Sequence, residues 1–207
     1  MSVLYPVANV ARSFRDCGHL LGTPIIKVTF AGASGPDMDE NVCPLSRPAD
    51  KFSGEQVAER VSRLLYDTKS CPWVWLGGAE PCEHDLEPLL EELRKLNVRI
   101  GMSTTGQGEA EFRERYCDFI SLMPDGKPEQ MNTLYGAGEI ILRAGWNGVR
   151  LLRDWQNYAR QKQMTFTHRW VVPMEGSKDA FSDCLRFIDA WPLWRLGVMA
   201  NQVWKLP

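Results

Sequence analysis

The side chains most able to do chemistry in this 207-residue chain are six cysteines, three histidines and two short acidic stretches. The cysteines stand at 17, 43, 71, 82, 117 and 184. Three thiolates on one tight loop hold an iron–sulfur cubane, and a Cys-x-His pair with two further thiols binds zinc. No three of these cysteines are spaced for the first, while Cys82 and His84 form a pair of the second kind. The competing reading is a set of isolated buried or surface thiols. Cys71, Cys117 and Cys184 fall at helix ends or strand starts and read as core. Asp37-Met-Asp-Glu40 is a candidate divalent-metal patch, but bound metals need more converging ligands, so a solvated acidic loop is the better reading. His19 and His168 have no recognisable nucleophile partner and are read as structural. No Ser-His-Asp arrangement or phosphate-binding loop is visible.

The second acidic stretch is Gly77-Gly-Ala-Glu-Pro81, which directly follows the apolar run Trp73–Leu76. A helical pattern begins again at Asp85. This is the pattern of a buried parallel strand entering a tight turn, with backbone and one carboxylate left at its C-terminal end. In parallel α/β proteins that end is where ligands bind. Glu80 and the Gly77-Gly78 backbone stand where such a ligand would bind. The glycines are equally what a strand-to-helix turn requires, and both readings stand.

The elements that must position these groups are a repeated strand–helix alternation. Residues 1–24 read as irregular, ending in the turn Gly22-Thr-Pro24. Strands are predicted at Ile25–Phe30, Trp73–Leu76, Arg99–Ser103, Asp118–Leu122, Glu139–Arg143, Met164–Val172 and Trp194–Met199. Helices are predicted after the N-cap Ser53, over Leu86–Leu96, over roughly 109–115, over 147–162, and after the cap Ser177. Ala31–Lys51 is a long Gly- and Pro-containing loop, of the length that usually carries function or stays unfolded. The order makes α/β with a parallel sheet the leading class, and periodicity leaves an open doubly wound sheet and a partial barrel both standing. One domain over 1–207 is the expected count. Apolar content of 44%, charged content of 24% and net charge −2 are ordinary for a globular protein and give no global field for nucleic acid or an anionic membrane. No run approaches a membrane span, no signal-peptide pattern opens the chain, and the irregular cysteines read as reduced thiols, so a cytoplasmic location is expected.

From about Ser13 onward the chain resembles the 7-carboxy-7-deazaguanine synthases, small members of the radical S-adenosylmethionine (SAM) superfamily. Gly22-Thr-Pro24 and Phe30-Ala-Gly32 are similar to that family's opening. Gly77-Gly-Ala-Glu-Pro81 resembles its Gly-Gly-Glu-Pro element with one residue inserted, and Ser103-Thr-Thr-Gly106 its Glu-Thr-Asn-Gly turn. Val172-Pro-Met174-Glu-Gly176 is similar to its Gln-Pro-Met-x-Gly turn, and Trp194–Pro207 to its last strand and tail. The resemblance implies a radical-SAM-like partial (β/α)6 barrel with mostly parallel strands and its site at the strands' C-terminal ends. It also implies a [4Fe-4S] cluster, SAM and Mg²⁺, ring contraction of a carboxylated tetrahydropterin for queuosine-type 7-deazapurine pathways, and homodimers. It places a SAM-like pocket at Gly77, Gly78, Glu80, Thr104, Ser121 and Met174.

The departures fall on the chemistry. The first position of the family's Cys-x3-Cys-x2-Cys loop falls on Ala33, with Cys43 alone in that loop. The family's Gln-Gly-Glu-Gly appears as Arg15-Asp-Cys-Gly18, the asparagine of its turn as Thr105, and its Thr-His-Lys as Ala200-Asn-Gln202. Scaffold glycines and prolines kept beside lost ligands are what a pseudoenzyme should show, and a [4Fe-4S] cluster and radical activity are not expected. The favoured reading is a cluster-less homologue that binds a small nucleoside- or pterin-like ligand, or a partner. One alternative is a deazapurine-pathway or SAM-binding enzyme with a non-standard metal site, for which Cys17, Cys43 and Cys82 are the candidate ligands. The other is a structural or interaction protein docking through Trp146, Trp191 or Trp204.

Overall fold

A computed structural model describes residues 3–32, 35, 50–65, 73–107, 117–124, 126, 128, 136–145, 148–174, 176–177 and 179–200. Strands β1 (Leu4–Phe14), β2 (Pro24–Phe30) and β3 (Asp50–Ser53) lead into helix α1 (Gly54–Leu65). Then come β4 (Trp73–Gly78), a single 3-10 turn at Pro81–Glu83, α2 (Glu87–Arg94), β5 (Arg99–Thr104) and β6 (Phe119–Leu122). The chain continues through β7 (Gly136–Ala144), α3 (Gly148–Gln161), β8 (Thr165–Pro173), α4 (Ala180–Ala190) and β9 (Arg195–Leu196). All the strands share one sheet in the order β3-β1-β2-β4-β5-β6-β7-β8-β9. From β2 to β9 every pairing is parallel, and β1 runs antiparallel to both β2 and β3.

One face of this sheet is covered by the helices. Val57 and Val61 of α1 and Leu89, Leu90 and Leu93 of α2 pack on Val74, Leu76, Ile100 and Met102. Leu152 and Trp155 of α3 and Cys184 and Phe187 of α4 pack on Ile140, Leu142 and Val171. The strand period of two then turns Ile141 and Val172 to the opposite face, where they meet Cys17 and Met123. On that face the sheet is curled. The segment after β1 reaches β4, β6, β7 and β8 together, and Ala200 beyond β9 donates its N–H to the Asp16 carbonyl at 2.7 Å. The result is a partial barrel with Arg15 and Cys17 of the segment after β1 buried against its inner face.

Ser53 caps α1 as expected: its Oγ accepts from Gln56 N–H at 3.2 Å while the Gln56 side chain accepts from Ser53 N–H at 2.9 Å. Arg12 of β1 satisfies the other end of α1 by donating to the Leu64 carbonyl at 2.7 Å. The central strands and the helices α1 to α3 lie close to where the sequence puts them. Residues 4–14 do not: they are not irregular but form β1, an 11-residue strand. Pro6 and Asn9 are poor strand formers, and pairing on both sides overrides that preference, with a register shift between Val7 and Asn9. The loop after β2 ends at Asp50, where β3 begins, and β7 starts three residues before the expected Glu139. Ser177 is not the cap of the last helix. The N-cap position is Asp179, without a side-chain cap bond, and α4 starts at Ala180. The last strand is only Arg195–Leu196. The helix predicted over 109–115 lies outside the described residues. Among the described residues no helix is long and apolar enough to cross a membrane.

Tyr5 of β1 is fully buried and donates its hydroxyl to the Asp85 carbonyl at 2.7 Å, tying the edge of the sheet to the turn before α2. Burial pushes its pKa from 10.0 up to about 12. A folded-state pKa above the unfolded one gives stability that is complete below pH 10 and lost as pH rises towards 12. Cys184, pushed up to about 12 by burial, adds to the same alkaline limb. Tyr5→Phe should therefore make the alkaline fall in unfolding free energy shallower without abolishing it, as read from urea midpoints across the alkaline range.

Candidate functional site

The turn after β4 is built by close backbone approach. Gly77 pairs with Thr29, and Gly78 with Phe30. Gly78 sits at φ 90°, and a Cβ there would come within 2.6 Å of the Phe30 carbonyl oxygen. Ala79, the inserted residue, is buried, donates to the Phe30 carbonyl at 3.0 Å and packs under Gly32 and Gly35. That placement turns Glu80 towards the end of β5. Its Oε1 accepts from Cys82 N–H at 3.1 Å and Thr104 Oγ1 at 2.6 Å, and its Oε2 accepts from Thr105 N–H and Thr105 Oγ1, both at 2.6 Å. Four donors fill the acceptor capacity of a carboxylate, and the group is 1% exposed.

A second polar cluster lies inside the curl. The Arg15 guanidinium stacks on Trp75 with Cζ 4.1 Å from the ring centroid, and its Nη2 donates to Ser121 Oγ at 3.1 Å. The same nitrogen lies 3.6 Å from Glu139 Oε1, and Nη1 lies 3.5 Å from Asp16. Arg15 and Glu139 are 2% and 0% exposed. Glu139 Oε2 accepts from His19 N–H at 2.7 Å, while its Oε1 has no hydrogen-bond donor among the described residues. The rings of His19 and His168 stack at 3.7 Å, and burial, with His19 next, lowers the pKa of His168. Trp75 is fixed in turn by Nε1 donating to Ser103 at 2.9 Å. An ion pair, two imidazoles and an indole face could hold a flat polar molecule. In this arrangement they hold one another.

The expected pocket residues thus divide. Gly77, Gly78, Glu80 and Thr104 meet at the β4 and β5 ends, whereas Ser121 serves Arg15 in the interior. Met174 follows β8, donates its N–H to the Ala144 carbonyl at 2.9 Å and packs near Gly145. Cys17 and Cys82 do not converge: Cys17 lies among Met123, Ile141 and Val172, and Cys82 on the helix face, its sulfur 3.8 Å from that of Met102. Cys43, Ala33, Asp37–Glu40, Trp146 and Trp204 lie outside the described residues. His84 stacks on Phe30 at 5.6 Å, and burial lowers its pKa.

The groups implied by the resemblance can be tested against these residues. The chain has no three cysteines at cluster spacing, and among the described residues no three His, Cys, Asp or Glu could hold a metal ion. A [4Fe-4S] cluster does not fit this ligand set. SAM would need a free acceptor for its amino group, and Glu80 offers one only by breaking bonds to Cys82, Thr104 or Thr105. Sequence reasoning missed the pairing of Arg15 with Glu139, because Arg15 lay in a segment read as irregular. The available signal was Glu139 itself, a lone carboxylate in an apolar strand, which is rarely buried without a partner.

Gly18 is the hinge of this cluster. It sits at φ 76°, and a Cβ there would strike the Glu139 carboxylate, while Gly22 at φ 80° faces open space. Gly22→Ala should destabilise by only the left-handed backbone term of about 1–2 kcal/mol. Gly18→Ala should destabilise clearly more, and Glu139→Ala, which removes the buried one of Arg15's two carboxylate neighbours, by up to about 3–5 kcal/mol. Equal losses for Gly18→Ala and Gly22→Ala in urea unfolding would contradict the cluster geometry.

No family model matches the chain, and no curated protein matches its sequence. Among solved structures it is similar to QueE, a 7-carboxy-7-deazaguanine synthase, from Escherichia coli. The two share 19% identity over 94% of this chain and 93% of that one, with a TM-score of 0.66. At that identity the likeness shows the fold alone: a mixed α/β partial barrel with a mostly parallel sheet, as in QueE.

Proposed function

We propose that this chain is a non-radical relative of the 7-carboxy-7-deazaguanine synthases that binds a small nucleoside- or pterin-like ligand without converting it. The setting would be queuosine-type 7-deazapurine metabolism. The observation that carries this reading is the self-satisfied mouth of the barrel. Glu80 is consumed by four donors of its own chain, and Arg15, paired with Glu139, fills the interior where a substrate would lie. The absent cysteine triplet and the fold likeness support it. A ligand entering this face would have to exchange its own polar edge for the bonds that Thr104, Thr105 or Ser121 now make. An enzyme with a non-standard metal site is less favoured, because Cys17 and Cys82 face different cores.

A homodimer is a second reading with its own observation. Phe181 and Leu185 are exposed one turn apart on α4, and Leu196 and Val198 are exposed at the β9 edge of the sheet. An open edge strand with apolar neighbours is a surface that proteins usually cover. Light scattering at twice the chain mass, reverting to one on Phe181→Glu, is the expected result.

Anaerobic purification with iron and sulfide, followed by native mass spectrometry and a SAM titration, tests the main reading. The expected outcome is no stoichiometric [4Fe-4S] species and no turnover of carboxytetrahydropterin with SAM and reductant. A full cluster spectrum with turnover would overturn it.

A further inference from the structure

At the opposite end of the sheet from Glu80, where β8 and β9 begin, a cavity of about 460 Å³ opens between the C-terminal turns of α3 and α4. This volume lies within the roughly 300–1,000 Å³ of small-molecule sites. Met164, Trp191 and Leu193 form its apolar side, and Gln163, Arg160 and Arg169 its polar side. Among the described residues no Asp or Glu lines it. Neither guanidinium has a carboxylate within ion-pairing distance among the described residues. Arg160 is exposed on α3, but Arg169 is half-buried on the helix side of β8, near the ring of Phe166 at 6.0 Å. A partly desolvated guanidinium with no counter-charge is unfavourable unless an anion supplies one.

The aromatic wall is held rigidly. Trp194 is buried, with its Nε1 donating to Gln156 at 2.7 Å, so its polar edge is already spent. Trp191 leans on Phe187 at 4.8 Å and stays half-buried, with part of its surface in the cavity. A flat ring gains from an indole wall of this kind, and a guanidinium pair recognises carboxylate or phosphate through charge-assisted hydrogen bonds.

We propose that this cavity binds a small aromatic oxyanion, its ring against Trp191 and Leu193 and its carboxylate or phosphate on Arg160 and Arg169. The site is separate from the Glu80 end of the barrel, and its occupancy does not depend on what that end binds.

Calorimetry and saturation-transfer NMR on the full chain test it, with 1-naphthoate as aromatic carboxylate and adenosine 5′-monophosphate as aromatic phosphate. Adenosine, acetate and inorganic phosphate supply the ring or the charge alone. At least one aromatic anion should bind, with the partial probes weaker by about tenfold or more. Arg160→Gln and Arg169→Gln should each weaken that binding by about tenfold. Binding of naphthoate alone assigns a carboxylate ligand, and binding of the nucleotide alone a phosphate. If neither aromatic anion binds, or if binding is unchanged in Arg160→Gln, an exposed position whose substitution leaves the core intact, the proposal is overturned.

Discussion

Glu139 is a carboxylate on the inner face of a sheet, with no exposure to solvent, and the interior of this protein is arranged around compensating it. A buried carboxylate without partners is strongly unfavourable. Here the compensation comes from one short segment: Arg15 supplies the charge, His19 supplies a backbone donor, and Gly18 between them has no Cβ to strike the carboxyl group. Because Arg15 immediately follows β1, the pairing fixes where the chain goes between β1 and β2. It also draws β4, β6 and β7 to a common centre through Trp75, Ser121 and Glu139. The ion pair thereby ties the segment after β1 to three strands of the curled sheet.

A similar economy operates at the strand ends. Gly32, Gly35 and Gly78 let three pieces of backbone lie closer than side chains would allow, and the inserted Ala79 is accommodated beneath them. The insertion does not expel Glu80 from the fold. It aims the carboxylate at β5, where two threonines and two backbone amides use all of its acceptor capacity. A carboxylate so bonded joins β4 to β5 as a cross-link. The groups that would define an open active site in a parallel barrel are therefore, in this chain, joining strands to one another.

The contrast with the far end of the barrel is electrostatic. Inside the curl Arg15 is paired with Glu139, and at the strand ends the Glu80 carboxylate is met by four neutral donors. Between α3 and α4, two guanidinium groups line a cavity that has no carboxylate among the described residues.

The sequence by itself determined the parallel α/β class, the turn at Gly77–Pro81, the helices α1 to α3 and the absence of a cysteine triplet. These are local properties: runs of Val, Ile and Leu with the right period, caps such as Ser53, and the count and spacing of thiols. Tertiary structure decided what depends on partners distant in sequence. Residues 4–14 are a strand because β2 and β3 flank them, although Pro6 and Asn9 argue otherwise. Glu80 is saturated because Thr104 and Thr105, 24 and 25 residues away, converge on it. Arg15 and Glu139 are partners across more than half of the chain, and Cys17 and Cys82 are parted because the segment after β1 packs on the inner face of the sheet while the turn after β4 packs on the helix side. Periodicity says which residues are buried, but which buried charge meets which is fixed only when the sheet closes on itself.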